Sequence, residues 1–142
     1  MLVTKAQIAA AIPHTDAMVL LDGITAWDDT RIDCVSQSHL HRDNPLRIAG
    51  RLPAVCGIEY AAQAMAVHGA LSGRVSGKPL AGFLASVRDL RCHAEWLDTT
   101  GQLTVEAERL AAEGLSVMYG FVVRVGGEPV VDGRATVLLA LS

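Results

Sequence analysis

The stretch VCGIEYAAQAMAVHGAL, residues 55–71, decides which fold the sequence predicts. Its side chains are apolar on almost every side when they are placed on a helix. A helix that is apolar all round has to be enclosed by other elements of the same fold. We therefore expect residues 55–71 to form a helix at the centre of the protein.

Segments on both sides of this helix have the character of strands. Residues 18–27 are rich in strand-forming residues, and residues 31–40 alternate between apolar and polar with period two. After the helix and a loop at 74–79, four further strands are predicted at about 82–96, 102–112, 115–125 and 129–141. This order predicts an α+β fold in which an antiparallel sheet wraps around the long central helix.

Two other segments complete the predicted architecture. AQIAAAI, residues 6–12, predicts a short helix with Thr4 as its N-cap and Gln7 three residues later, which is the spacing of a capping box. In residues 41–53, Asn44-Pro45, Gly50 and Pro53 interrupt regular structure, so we expect an exposed loop there.

Composition limits the class of protein. The 142 residues are 51% hydrophobic, which fits a single domain over residues 1–142. A net charge of −3 argues against a nucleic-acid partner, and no segment approaches the roughly 18 consecutive apolar residues that membrane insertion requires. The three cysteines form no CxxC pair, so we expect a cytoplasmic protein without a disulfide framework or structural zinc.

Glu59 and Gln63 are unusual residues for such an apolar helix. They lie four residues apart and so share one helical face. An ionised carboxylate that is removed from water costs several kcal/mol unless it is paired. Glu59 is therefore either a residue of the first turn that the helix dipole stabilises, or a catalytic acid.

Histidines and arginines supply the other candidates. His14, which follows Pro13, is either a loop residue or a catalytic base. His39 and His41 would share one face of a strand, but no nearby carboxylate or cysteine completes a site, so we expect no metal. A further set of cations lies in the 41–53 loop and forms either a solvated surface or a docking surface for an acidic partner: Arg42, Arg47 and Arg51.

Two motifs carry a resemblance to a known family. IPHTDAMVLLDGI, residues 12–24, matches a Pro-His-x-x-x-Met/Phe-x-Leu-Leu-Asp motif, and LPAVCGIEYAAQ, residues 52–63, matches Met-Pro-Gly-Val-x-x-x-Glu-x-x-Ala-Gln. The sequence thus resembles the hotdog-fold 3-hydroxyacyl acyl-carrier-protein dehydratases of the FabZ and FabA kind. It is most similar to the small dehydratases of aryl-polyene biosynthesis (ApeP-like), through residues 57–63 and 82–84. The resemblance covers essentially the whole chain and implies a single hotdog domain.

The resemblance also implies an activity. The chain is expected to remove water from a 3-hydroxyacyl thioester and so form a trans-2-enoyl thioester, with His14 as the base and Glu59 as the acid. The backbone amide of Ala54, which replaces the usual glycine of the motif, would hold the thioester oxygen. Gly57 and Gln63 would help to position the substrate.

The resemblance further implies the partners. The substrate would arrive on the phosphopantetheine arm of an acyl carrier protein, which the three loop arginines would dock, and no cofactor would be needed. The His and the acidic residue of one site would come from different subunits, which implies a homodimer or higher oligomer, or a heterodimer with another hotdog subunit. Two alternatives stay open: a hotdog acyl thioesterase, and a non-catalytic partner subunit of a dehydratase.

Overall fold

The structure, a computed structural model, describes residues 2–11, 18–72 and 80–141. These residues form two helices, α1 and α2, and one antiparallel sheet of seven strands in the order β1-β2-β3-β5-β6-β7-β4. The elements follow in the chain as β1 Val3–Thr4, α1 Lys5–Ala11, β2 Gly23–Trp27, β3 Arg31–Ser36, α2 Gly57–Leu71, β4 Leu80–Cys92, β5 Leu103–Glu113, β6 Ser116–Val125 and β7 Glu128–Leu141.

The predicted α+β architecture is confirmed: the sheet curves around α2, and β3 to β7 all pack against it. Strand β6 shows how the sequence produces this layer, because its side chains alternate strictly between buried and half-buried positions. Gly57 allows the first turn of α2 to approach the sheet closely. A Cβ atom at this position would lie 2.6 Å from Cγ1 of Val131 on β7.

The three C-terminal strands match the prediction to within one residue at each end. The strand predicted at 82–96 ends earlier in the structure, since the last residue of β4 is Cys92. Beyond it, the His93 amide still donates to the Val130 carbonyl of β7, and an isolated bridge joins Trp96 to Pro53.

The two strand predictions before α2 are wrong in part. Strand β2 begins at Gly23 instead of residue 18, and β3 ends at Ser36, after which Ser38–Leu40 form a 3₁₀ turn. The predicted alternation of apolar and polar residues extends beyond Ser36. The Ser38 hydroxyl, however, is hydrogen-bonded to Tyr60 of α2 and not to a neighbouring strand. Helix packing therefore overrides the strand pattern there.

The N-terminal helix and its capping box are confirmed over the described residues. The amide of Thr4 donates to Gln7 Oε1 at 2.9 Å, and the amide of Gln7 donates to Thr4 Oγ1 at 3.4 Å. These reciprocal bonds satisfy two backbone donors that have no acceptor within the helix.

The segment 41–53 is irregular and largely exposed, as its composition predicted, but two of its residues are anchored in the fold. Asn44 and Leu52 are buried within it. Asn44 Nδ2 donates to the Ser38 carbonyl at 2.9 Å, and Asn44 Oδ1 accepts from the Leu46 amide at 2.9 Å. The segment is therefore attached to the fold by a buried side chain, as an Asx turn allows.

Within the described ranges, no helix is both long enough and apolar enough to cross a membrane.

Candidate functional site

The start of α2 exposes both polar and apolar side chains to solvent. A 3₁₀ turn, Ala54–Cys56, leads directly into the helix. Val55 is 47% exposed, and Glu59, one turn later, is also exposed, whereas Ile58 between them is half-buried. Glu59 is therefore not enclosed by its own chain, because the sheet covers the opposite side of this turn. We call Val55, Ile58 and Glu59 the open face of α2.

The backbone amides that precede the helix differ in what they bind. The amide of Ala54 donates to the Glu95 carbonyl at 3.0 Å, and the amide of Cys56 donates to the Pro53 carbonyl at 3.0 Å. The Val55 amide has no intrahelical acceptor at this position, and the backbone hydrogen bonds of the described chain give it none elsewhere. The Ala54 amide, which was predicted to hold the thioester oxygen, is thus already engaged within the chain, whereas the Val55 amide has no such acceptor among the described residues.

Gly57, which was expected to position substrate, lies elsewhere. It is buried against Val131 and Val123 of the sheet, on the side of α2 away from the open face. The sequence shows that a glycine is present, but not whether the helix approaches a ligand or a strand at that point.

Gln63 is buried and binds the chain segment that follows the His14 motif. Its Oε1 accepts from the Leu20 amide at 2.9 Å, and its Nε2 donates to the Met18 carbonyl. Although Gln63 is only four residues after Glu59, its side chain is engaged with the protein backbone instead of facing solvent. His14 itself lies outside the described residues, four positions before Met18.

A buried polar cluster around Leu20 was not predicted from the sequence. The Leu20 carbonyl accepts from Ser36 Oγ at 2.6 Å and from Ser38 Oγ at 2.7 Å. Ser38 Oγ is also 2.7 Å from the Tyr60 hydroxyl, to which Asn44 Nδ2 donates at 3.0 Å. The available signal was a group of small polar residues just after an alternating strand, next to a tyrosine in an otherwise apolar helix.

His68, near the C-terminal end of α2, is completely buried. Its Nε2 donates to the Asp28 carbonyl at 2.8 Å, because a carbonyl can only accept, and this leaves Nδ1 to accept from the Tyr119 hydroxyl at 2.6 Å. Burial is the main cause of the lowered pKa of His68. Both ring nitrogens are therefore used to join the helix to the β2–β3 turn and to β6.

His39 and His41 do not share a strand face, because the chain turns between them. His39 is buried and its Nε2 donates to the Gly101 carbonyl at 2.9 Å, whereas His41 is exposed. Burial also lowers the pKa of His39. Across residues 2–11, 18–72 and 80–141, no group of three or more His, Cys, Asp or Glu side chains is placed to hold a metal ion.

The structure brings two of the three loop arginines together on one acid. Arg47 Nη1 and Arg51 Nε lie 3.1 and 3.0 Å from Asp98 Oδ2, and this side chain is only 7% exposed. The hydrogen bond from Arg51 is the main cause of the lowered pKa of Asp98. Arg47 also donates to three backbone carbonyls and is largely buried, whereas Arg42 is exposed. Arg47 is thus a structural residue.

Arg51 adds a second contact in this cluster. Its guanidinium carbon lies 4.1 Å from the ring centroid of Trp96, at the distance of a cation–π interaction. Its side chain remains 46% exposed. Of the three arginines, Arg42 and Arg51 therefore place their positive charges at the surface.

One protein family matches almost the whole chain. The family described as ApeP-like, ApeP dehydratase, matches residues 6–140. A search of curated protein sequences gives no match.

Solved structures show the same fold. The dehydratase heterocomplex ApeI:P from Xenorhabdus doucetiae is 23% identical, covers 95% of this chain and 91% of its own, and superposes with a TM-score of 0.82. A mutant thioesterase from Pseudomonas aeruginosa is 16% identical, with coverage of 96% and 93% and a TM-score of 0.66. AziG from S. sahachiroi is 16% identical, with coverage of 92% and 99% and a TM-score of 0.63. The fold is therefore a hotdog.

Proposed function

The chain belongs to the ApeP-like dehydratase family, and from this premise we propose that it removes water from a 3-hydroxyacyl thioester to give a trans-2-enoyl thioester. The observation that carries the proposal is the family match over residues 6–140, which includes both the His14 motif and the Glu59 motif. The open face of α2 supports it, because it places a carboxyl group beside apolar side chains at the start of the central helix.

Two side chains share the proton transfers in this proposal. His14 takes the α-proton of the thioester, a task that suits an imidazole because the ordinary pKa of this group lies near neutrality. Glu59 gives a proton to the leaving hydroxyl, so that the C–O bond breaks with loss of water.

The negative charge that develops on the thioester oxygen needs a hydrogen-bond donor. The Val55 amide meets this need better than the Ala54 amide, because Ala54 already donates to the Glu95 carbonyl. Val55 lies at the positive end of the α2 dipole, which also favours an anion.

A second subunit would cover the open face. The sheet ends on one side with β1, which has two residues, and on the other with β4, which has thirteen. A long strand edge is a ready surface for pairing with another chain. We propose that a second copy of the chain pairs along β4 and contributes the His14 that works with this chain's Glu59.

The acyl group would arrive on the phosphopantetheine arm of an acidic carrier protein. Arg42 and Arg51 remain exposed and can attract it, whereas Arg47 supports the loop through Asp98. The reaction requires no cofactor. The thiols of Cys34, Cys56 and Cys92 are free, as suits the reducing cytoplasm in which we propose that the protein works.

Mass spectrometry of the product tests the proposed function. The purified chain is incubated with a 3-hydroxyacyl carrier-protein thioester, and the mass of the acyl group is measured. Loss of one water is the expected result. Release of the free acid would show a thioesterase instead. Turnover only after addition of a different hotdog chain would show that the partner is not a second copy, and no turnover in either case would indicate a non-catalytic subunit.

A further inference from the structure

The backbone that leads to Val55 is paired with a short segment from beyond β4. Residues 52–54 lie against residues 95–97 and share an isolated antiparallel bridge with them. Two backbone hydrogen bonds join the segments, at 3.0 and 2.8 Å: from the Ala54 amide to the Glu95 carbonyl, and from the Leu97 amide to the Leu52 carbonyl. We call residues 52–54 and 95–97 the entry pairing. Val55, which follows it directly, takes its place from these contacts.

Asp98 ties the two segments of the entry pairing together at one end. It follows Leu97 in the chain, and its carboxylate accepts from Arg51, which directly precedes Leu52. Arg51 Nε lies 3.0 Å from Asp98 Oδ2, and Arg51 Nη2 lies 3.2 Å from Oδ1. Arg47 Nη1 donates to the same Oδ2 at 3.1 Å. The carboxylate thus closes the entry pairing through three hydrogen bonds from two arginines.

The ion pair between Asp98 and Arg47 is largely shielded from water. Their side chains are only 7% and 14% exposed, whereas that of Arg51 is 46% exposed. Breaking a shielded pair has a larger effect than breaking one at the surface, because the remaining charge has lost both water and its partner. Loss of the Asp98 charge therefore forces Arg47 and the chain beside it to rearrange.

From these contacts we propose that Asp98 is a positioning residue for the Val55 amide, an inference that rests on the proposed function. Asp98 fixes one end of the entry pairing through Arg51, and the bond between Ala54 and Glu95 fixes the other end, next to Val55. Asp98 does not touch the substrate. Misplacement by about 1 Å of a group that stabilises the transition state can reduce the rate by about 10²-fold.

The first test uses a substrate without a carrier protein, a 3-hydroxyacyl pantetheine thioester, so that docking by Arg51 does not enter the result. Asp98→Asn keeps the shape of the side chain but removes its charge. Asp33→Asn is the matched control, because it removes a more exposed carboxyl that is paired with Arg31 on β3. We expect kcat to fall by about 10- to 10²-fold in Asp98→Asn, with KM changed by less than about threefold. Asp33→Asn should keep kcat within about twofold of wild type.

Arg51→Met is the second variant and keeps the test decisive if Asp98→Asn does not fold. It removes two of the three hydrogen bonds to the Asp98 carboxylate, while Arg47 still neutralises the charge. We expect kcat for the same carrier-free substrate to fall by about threefold to tenfold, since the more shielded ion pair remains in place. Unchanged kcat in every folded variant of the two would overturn the proposal.

Another readout does not depend on turnover. In protein that contains isotope-labelled valine, the amide resonance of Val55 is assigned by its loss in a Val55→Ile variant. We expect Asp98→Asn, or Arg51→Met in its place, to shift this resonance, while that of Val117, buried on β6, stays unchanged. Asp33→Asn should move neither resonance.

The two readouts separate the failure of each idea. If the wild-type chain shows no dehydration but the Val55 amide responds to Asp98→Asn, the proposed function fails, whereas Asp98 still sets the position of the amide. If the Val55 amide does not respond, the positioning role is overturned. It is also overturned if the amide responds while kcat for the carrier-free substrate stays at the wild-type value.

Discussion

The polar residues at the two ends of α2 lie in opposite environments. His68, near the C-terminal end, is completely buried, and both of its ring nitrogens are bonded within the chain. Glu59, in the first turn, is exposed beside Val55. Both residues are polar side chains in a largely apolar helix.

The difference teaches how a polar residue in an apolar helix can be interpreted. A buried group whose hydrogen-bonding atoms are all used inside the chain stabilises the fold and has none left for a substrate. A carboxyl at the surface beside apolar side chains is placed for contact with something outside the chain. His68 therefore has a structural role, whereas the chemical role of Glu59 is our proposal, and substitutions at either end of the helix test the two roles.

The largest effect is expected at Glu59. Glu59→Gln should lower the rate of dehydration by about 10²- to 10⁴-fold, because the amide cannot donate the proton that the carboxyl supplies. The melting temperature should stay within about 2 °C of wild type, since the residue is exposed. Glu108→Gln, an exposed position on β5, is the matched control and should change neither quantity. A fully active Glu59→Gln enzyme would remove Glu59 from the mechanism.

The opposite pattern is expected at His68. His68→Leu leaves the Asp28 carbonyl without its donor and should reduce the free energy of unfolding by about 2–4 kcal/mol. The rate per folded molecule should stay within about twofold of wild type. Urea unfolding and initial rates measured on the same sample check both statements. A large loss of kcat at wild-type stability would contradict the assignment.

The contact between α2 and the sheet sets the orientation of the open face. Gly57→Ala places a methyl group 2.6 Å from Val131 Cγ1, so one of the two elements has to move. We expect a loss of about 1–3 kcal/mol in the free energy of unfolding, accompanied by a fall in kcat. The double variant Gly57→Ala, Val131→Ala provides space for the methyl group and should recover part of the activity. No recovery would show that the close contact is not the cause.

A smaller change, a loss of folding stability, is expected at acidic pH. Burial lowers the pKa of His68 and of His39 below the ordinary value of 6.5, so the unfolded chain binds protons more readily than the folded chain. Stability should therefore be complete above about pH 6.5 and fall below it, by at most about 1.4 kcal/mol per pH unit for each histidine. Urea unfolding at about pH 7.5 and about pH 5.5 measures the change. His68→Leu should show a smaller pH dependence, and an unchanged one would show that His68 does not contribute to it.

Patterns with a clear period were sufficient for the framework of the fold. Strict alternation in β6 and the long apolar run of α2 gave the sheet and its central helix, and the Thr4–Gln7 spacing gave the capping box. The segment 18–22 was misassigned because its apolar residues are buried without being paired in a sheet. Side-chain hydrogen bonds from Gln63 and Ser36 hold this segment in place. Such bonds leave no periodic pattern in the sequence.

The site was predictable in its residue types but not in its exposure. The spacing of Glu59 and Gln63 placed them on one helical face, yet one side chain is exposed and the other is buried. The engagement of the Ala54 amide with the Glu95 carbonyl depends on a contact between residues that lie far apart in the chain. Such contacts are made by tertiary packing, which a local motif does not encode.

The central claim, that the open face of α2 is half of an active site completed by a second copy of the chain, is tested most directly by mixing two inactive variants. His14→Ala and Glu59→Gln are each purified, allowed to exchange subunits, and assayed together for loss of water from a 3-hydroxyacyl thioester. Random pairing gives mixed dimers with one intact site, so we predict recovery to about a quarter of wild-type activity. Exchange of subunits without any recovery would contradict the claim.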